Sequence, residues 1–301
     1  MTDTALPPLP YADWVDTRDT VHLFLQIIGK IRLKTHPKLN HWWHVTLYPS
    51  VRGLTTGRIP YGDISFEITY DMIDHEVVVG RNDGRSISFD PAGSTVSQFY
   101  HETLRCLSNL GITVEIHAVP YENKSTTPFP EDDASRAYDK VAVTAYWKAL
   151  CWIASVFEVF RSRFNGKQTP VHLYWHSFDL VVTRFSGKAH PMTGGTASDK
   201  EAYSHEVISV GFWPGDDSFQ TAAFYGYAYP EPSGISDVPL EPASAVWADK
   251  NGGALAVLTY PDLLKEDDPQ AALLAFLESV YQGAASKAGW PLDDFKHQFA
   301  L

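Results

Sequence analysis

Apolar positions along this chain change period in the same order twice. Val21, Phe24, Ile28 and Ile31 recur at the spacing of one helix face. Alternation follows from His41 to Arg52, with Trp43, Val45 and Leu47 on every second position of an expected strand. Segments 63–71, 75–80 and 86–89 are short and rich in β-branched and aromatic residues, and Asn82-Asp83-Gly84 is a hairpin signal between the last two. Ser94 or Thr95 caps a helix carrying Val96, Phe99, Leu104 and Leu107, Gly111 stops it, and 112–116 reads as one more strand. The second block predicts a helix over 140–164, strands at 171–184, 203–213, 220–229 and 254–259, and a closing helix that starts at Pro269.

The order of elements predicts an α+β protein with antiparallel sheets flanked by helices, in two pseudo-repeated halves of about 15–118 and 138–290. Trp43, His44 and Arg52 match Trp175, His176 and Arg184 at one common shift (43 to 175, 44 to 176, 52 to 184), which supports a duplication. Residues 119–137 hold three Pro among charged and small polar residues and read as a surface linker. The expectation is one integrated domain over 1–301.

Composition narrows the function classes. A formal charge of -12 argues against a nucleic-acid partner, which needs a basic footprint. No segment reads as a membrane span and the N-terminus lacks the features of a secretory signal, so no membrane partner and a cytoplasmic location are expected. Cys106 and Cys151, on helical patterns and far apart, read as reduced core cysteines. Glycine-rich nucleotide loops, the H-E-x-x-H zinc motif and the G-x-S-x-G elbow do not occur.

Candidate chemistry lies in four clusters. On a regular strand from 41 to 52, His44 and Arg52 share a face and could bind a carboxylate or phosphate; equally, His44 is a sheet residue and Arg52 a surface cation. On a continuous strand from 171 to 184, His172, His176 and Arg184 share a parity, with Asp179 on the other. His205 and Glu206 lie on opposite sides of a third strand, yet His172, His205 and a carboxylate would make a two-His, one-carboxylate set, so His172, His205 and Glu206 are the candidate ligands of a divalent metal. The structural alternative is a Glu206 salt bridge to Arg184 or Arg52. Tyr225 and Tyr227 share a strand face and could line a pocket, with small residues behind them to admit a helix.

The segments NHWWHVTLY, RGLTT, PVHLYWHSFDL, TRFSGK and YSHEVISVGFWPG together resemble an uncharacterised bacterial family, a domain of unknown function, nearly end to end. The resemblance implies one soluble module of about this length and supplies no catalytic residues. His176 stands where the family carries Gly, which weighs against a His172/His176 metal pair and favours His172 with Asp179, His205 and Glu206.

The leading expectation is an enzyme acting on a small polar or anionic molecule, with His44, His172, Asp179, His205 and Glu206 as acid/base groups and Arg52, Arg184, Tyr225 and Tyr227 binding substrate. A non-catalytic ligand-binding or sensor protein is the alternative, and a protein-interaction module with Trp and Tyr anchors is the third.

Overall fold

A computed structural model describes residues 6–250 and 252–296. Its first half runs α1 (Tyr11–Thr35), a 3-10 segment (Asn40–Val45), β1 (Tyr48–Pro49), β2 (Gly53–Thr55), β3 (Ile59–Tyr61), β4 (Ile64–Asp71), β5 (Glu76–Arg81), β6 (Ser86–Phe89) and α2 (Val96–Asn109). The second runs α3 (Lys140–Ser162), β7 (His172–Tyr174), β8 (Asp179–Ala189), α4 (Ala197–Ala202), β9 (His205–Trp213), β10 (Ala223–Tyr229), β11 (Val246–Lys250), β12 (Gly253–Thr259), α5 (Tyr260–Leu263) and α6 (Pro269–Lys287). Each half contributes one antiparallel six-stranded sheet, so the fold is α+β.

The first sheet has the order β1-β2-β4-β5-β6, with β3 also on β4, and the second β11-β12-β10-β9-β8-β7. They meet edge to edge where Leu47 and Leu173 exchange both backbone hydrogen bonds, at 2.9 and 2.7 Å. One apolar core draws on both sheets and on α1, which is buried on nearly every side. A helix enclosed all round suits the centre of a fold rather than its surface.

Local signals explain many boundaries. Thr95 closes a capping box with Gln98 at the start of α2, and Gly111 takes φ 79° beyond its end. Gly84, at φ 89°, turns the β5–β6 hairpin. On β10, Gly226 admits α6, since a Cβ there would lie 2.6 Å from Val280.

Several expectations need correction. Segment 41–52 is not a regular strand: His41 and Trp42 take φ 54° and 64° inside the 3-10 segment. Residues 171–184 form two strands around a turn at 175–178, so Trp43 and Trp175 lie on unlike elements and the matched pattern is not a structural equivalence. The coarse order of helix, strands and helix nevertheless occurs twice. Residues 112–116 are not a strand, and β11 had no counterpart in the sequence reading.

The expected linker is pinned near its start and its middle, because the Gln26 amide holds both backbone groups of Tyr121 at 2.8 Å and Phe129 is wholly buried. Both cysteines are free, but Cys151 is exposed rather than in the core. Helix α3 is long and apolar enough to cross a membrane by length and composition, contrary to the sequence reading. Its buried face, including Val143, Leu150 and Phe157, belongs to the common core.

Trp175 fastens α1 to the sheet junction. Its indole N–H donates to the Val45 carbonyl at 2.7 Å, and a Cβ on Gly29 would lie 2.1 Å from the ring. Gly29→Ala is therefore expected to destabilise the protein by about 1–3 kcal/mol despite the better helix propensity of Ala. Urea denaturation would show a lower midpoint; an unchanged or higher midpoint would mean that the Trp175 packing is not constrained as described.

Candidate functional site

The two faces of the second sheet have different work. One carries Leu180, Val182, Arg184, Val210 and Gly226 toward α3 and α6. The other carries Asp179, Thr183, Ser209, Tyr225 and Tyr227 into a cleft of about 670 Å³, roofed by the 3-10 segment, α4 and the chain near Tyr121. That volume suits a small organic molecule.

Asp179 lies at the floor of the cleft and is 8% exposed. Its carboxyl accepts from the Ser177 hydroxyl at 2.5 Å and from the Tyr225 hydroxyl. Tyr225 reaches it from β10 across Gly211 of β9, where a Cβ would lie 2.5 Å from the phenol ring. Among the described residues no Lys, Arg or His forms an ion pair with Asp179 within 4 Å. Burial pushes its acidity down and its pKa up, opposed by the two hydroxyl donors.

A second set of hydroxyls continues along this face. Tyr203 and Tyr227 are 2.8 Å apart, and Thr183 and Ser209 are 2.9 Å apart on adjacent strands. The rings of Tyr225 and Tyr227 stack at 6.2 Å. Near the mouth, His176 Nδ1 lies 2.9 Å from Glu122, and this hydrogen bond holds the Glu122 pKa below its usual value. His22 fixes the same turn through the carbonyls of Trp175 and His176, and burial lowers its pKa to about 4.

The left-handed conformations of His41 and Trp42 cost about 1–2 kcal/mol each and place His41 and Trp43 in the cleft wall. His41 Nε2 must accept from the Lys167 ammonium, 2.6 Å away, because an ammonium can only donate. Burial and that cation lower the His41 pKa. Lys167 also lies over the Trp43 and Phe185 rings.

The residues singled out from sequence divide accordingly. Asp179, Tyr225 and Tyr227 share the cleft. His205 stands at its margin, 5.3 Å from the His41 ring between centroids. His172 has the cleft-side parity but is fully buried beside Tyr48, with neither ring nitrogen partnered, and burial lowers its pKa to about 3. His44 accepts from the Leu39 N–H at 3.3 Å and does not line the cleft. Glu206 faces the opposite side of β9 from Val207 and Ser209. The expected metal set of His172, His205 and Glu206 is not assembled, and among the described residues no group of three or more His, Cys, Asp and Glu is placed to hold an ion.

Neither arginine anchors the cleft. Arg52 pairs with Asp71 and Asp74 at an exposed turn. Arg184 points to the helix side, with its guanidinium 3.5 Å from the Phe160 ring centroid and 4.2 Å from that of Tyr281. It donates to the Phe160 carbonyl at 2.5 Å, while Glu278 is 3.9 Å away. Burial lowers its pKa to about 10. The sequence reading missed Lys30, His41, Ser177, Tyr203 and Ser209, which line the cleft. A lone lysine in the apolar run ending at Gly29-Lys30 was the clearest signal available.

The chain belongs to the family of unknown function DUF5996, whose model matches residues 6–297. No curated protein and no solved structure matches it.

Two stability outcomes separate the cleft from its support. Arg184→Lys should cost about 2 kcal/mol, because an ammonium cannot fill the aromatic enclosure as the flat guanidinium does. A thermal midpoint within experimental error of the parent would refute this structural role. Asp179→Asn should instead raise the midpoint at pH 8 by about 2 °C. The sign follows from the raised pKa: its stabilising contribution is present at low pH and is lost as pH rises through the folded-state value. The advantage of Asn should therefore vanish in acid, and a variant less stable at pH 8 than at pH 5, relative to the parent, would contradict it.

Proposed function

We propose that this protein is an enzyme acting on a small polar molecule held in the cleft, with Asp179 as the proton-transferring group. The observation that carries this reading is a buried carboxyl that accepts from two hydroxyls, has no cation within ion-pair distance and faces an aromatic-lined cavity. A buried carboxylate placed for stability alone would be paired with a cation. Hydroxyl donors instead leave it able to take up and release a proton at a substrate hydroxyl or amine.

Ser177 and Tyr225 position the carboxyl, while Tyr227 and Tyr203 supply an aromatic surface with polar tips. The His176–Glu122 pair at the mouth is a second proton-handling group. Two unpaired cysteines and an acidic chain fit a cytoplasmic location.

The test is a thermal-shift screen of polyols, hydroxy acids, amino acids, amines and nucleosides, followed by NMR detection of chemical change in each compound that binds. Asp179→Asn should retain binding of the active compound and lose at least about 100-fold in turnover. Binding without any chemical change would favour a sensor protein, and turnover unaffected by the substitution would remove Asp179 from the chemistry.

A further inference from the structure

Lys30 is a buried cation without a counter-ion. It is 7% exposed, lines the cleft and lies 5.4 Å from the Trp175 ring centroid. Among the described residues no carboxylate lies within 4 Å of its ammonium, and no side-chain hydrogen bond from it is present. The other buried cations of α1 are treated differently. Arg18 has Asp19 at 2.7 Å, and Arg32 donates to the Thr56 carbonyl.

The burial of the side chain strips part of the hydration from its ammonium, which keeps access to the cleft alone. The Trp175 face replaces only part of that hydration, and an anion in the cleft would replace the rest. Burial also lowers the Lys30 pKa, with no neighbouring carboxylate contributing to the balance.

We propose that Lys30 anchors an anionic group, a carboxylate or a phosphate, on the molecule that occupies the cleft. This rests on the reading of the cleft as a substrate site and specifies the substrate class: a small anion bearing a hydroxyl or amine that Asp179 can address. The Trp175 face covers the carbon skeleton beside the anion. Lys30 supplies the charge that Arg52 and Arg184, turned elsewhere, do not.

The experiment titrates inorganic phosphate and, separately, benzoate into the full chain at low ionic strength, with calorimetric affinities for the parent, Lys30→Met, Lys30→Arg and Asp179→Asn. The parent should bind at least one probe, and Lys30→Met should weaken that binding at least about tenfold, the equivalent of one charge-assisted hydrogen bond. Lys30→Arg should recover most of it. Preference for phosphate or for benzoate identifies the anion class.

Asp179→Asn should not weaken anion binding, because it removes a carboxyl whose charge can only repel the probe. Loss of turnover with intact anion binding then tests the enzyme reading separately. As a measurement on the parent protein, the probe should shift one lysine resonance in a sample labelled with ¹³C at Cε, a resonance absent from Lys30→Arg. No binding by the parent, equal affinity in a folded Lys30→Met protein, or an unmoved Lys30 resonance overturns the inference.

Discussion

The Leu47–Leu173 pairing determines what else the fold can do. Two backbone hydrogen bonds join the edges of two otherwise separate sheets, and each would present unpaired strand groups if they parted. The junction is too short to hold the halves by itself. Trp175, immediately beyond β7, fills the gap beside Gly29 and bonds to Val45. The same indole that locks α1 against the junction forms a wall of the cleft. Stability of the junction and shape of the site thus depend on one side chain.

Polar groups show where the fold is optimised and where it is not. Arg184 has three aromatic rings around its guanidinium and a carbonyl acceptor. Its burial is compensated in part, since Nε has no acceptor, and it belongs to the packing of α3 and α6 on the sheet. Asp179 and Lys30 are also buried but lack opposite charges at contact distance. Together with the left-handed His41 and Trp42, they place several unfavourable terms around one cavity. Such clustering is expected where binding or chemistry, rather than stability, constrains the residues.

Much of this fold was legible in the sequence where a local rule has one physical outcome. The Asn-Asp-Gly turn, the Thr95 cap and the alternation on β10 all act through near neighbours, and Tyr225 and Tyr227 consequently fell on the expected face. The errors arose where tertiary contacts overrode a pattern. Nothing in Trp-His-Ser-Phe resembles a turn, yet residues 175–178 reverse the chain, with Phe178 at φ 62° and His22 bonded to two of their carbonyls. That reversal put Arg184 on the opposite face of the sheet from His172, although an unbroken strand would have given both one parity, so an anchor was assigned to the wrong side of the sheet.

The separation of Asp179 from Lys30 has a chemical consequence. Were they paired, attraction would hold the carboxylate charged and the ammonium protonated, and both would be satisfied without a ligand. Hydroxyl partners at Asp179 and an aromatic face at Lys30 provide weaker compensation. On the proposed reading, a substrate carrying an anion at one end and a hydroxyl or amine at the other would satisfy both at once, and the two groups together would select for a single bifunctional molecule.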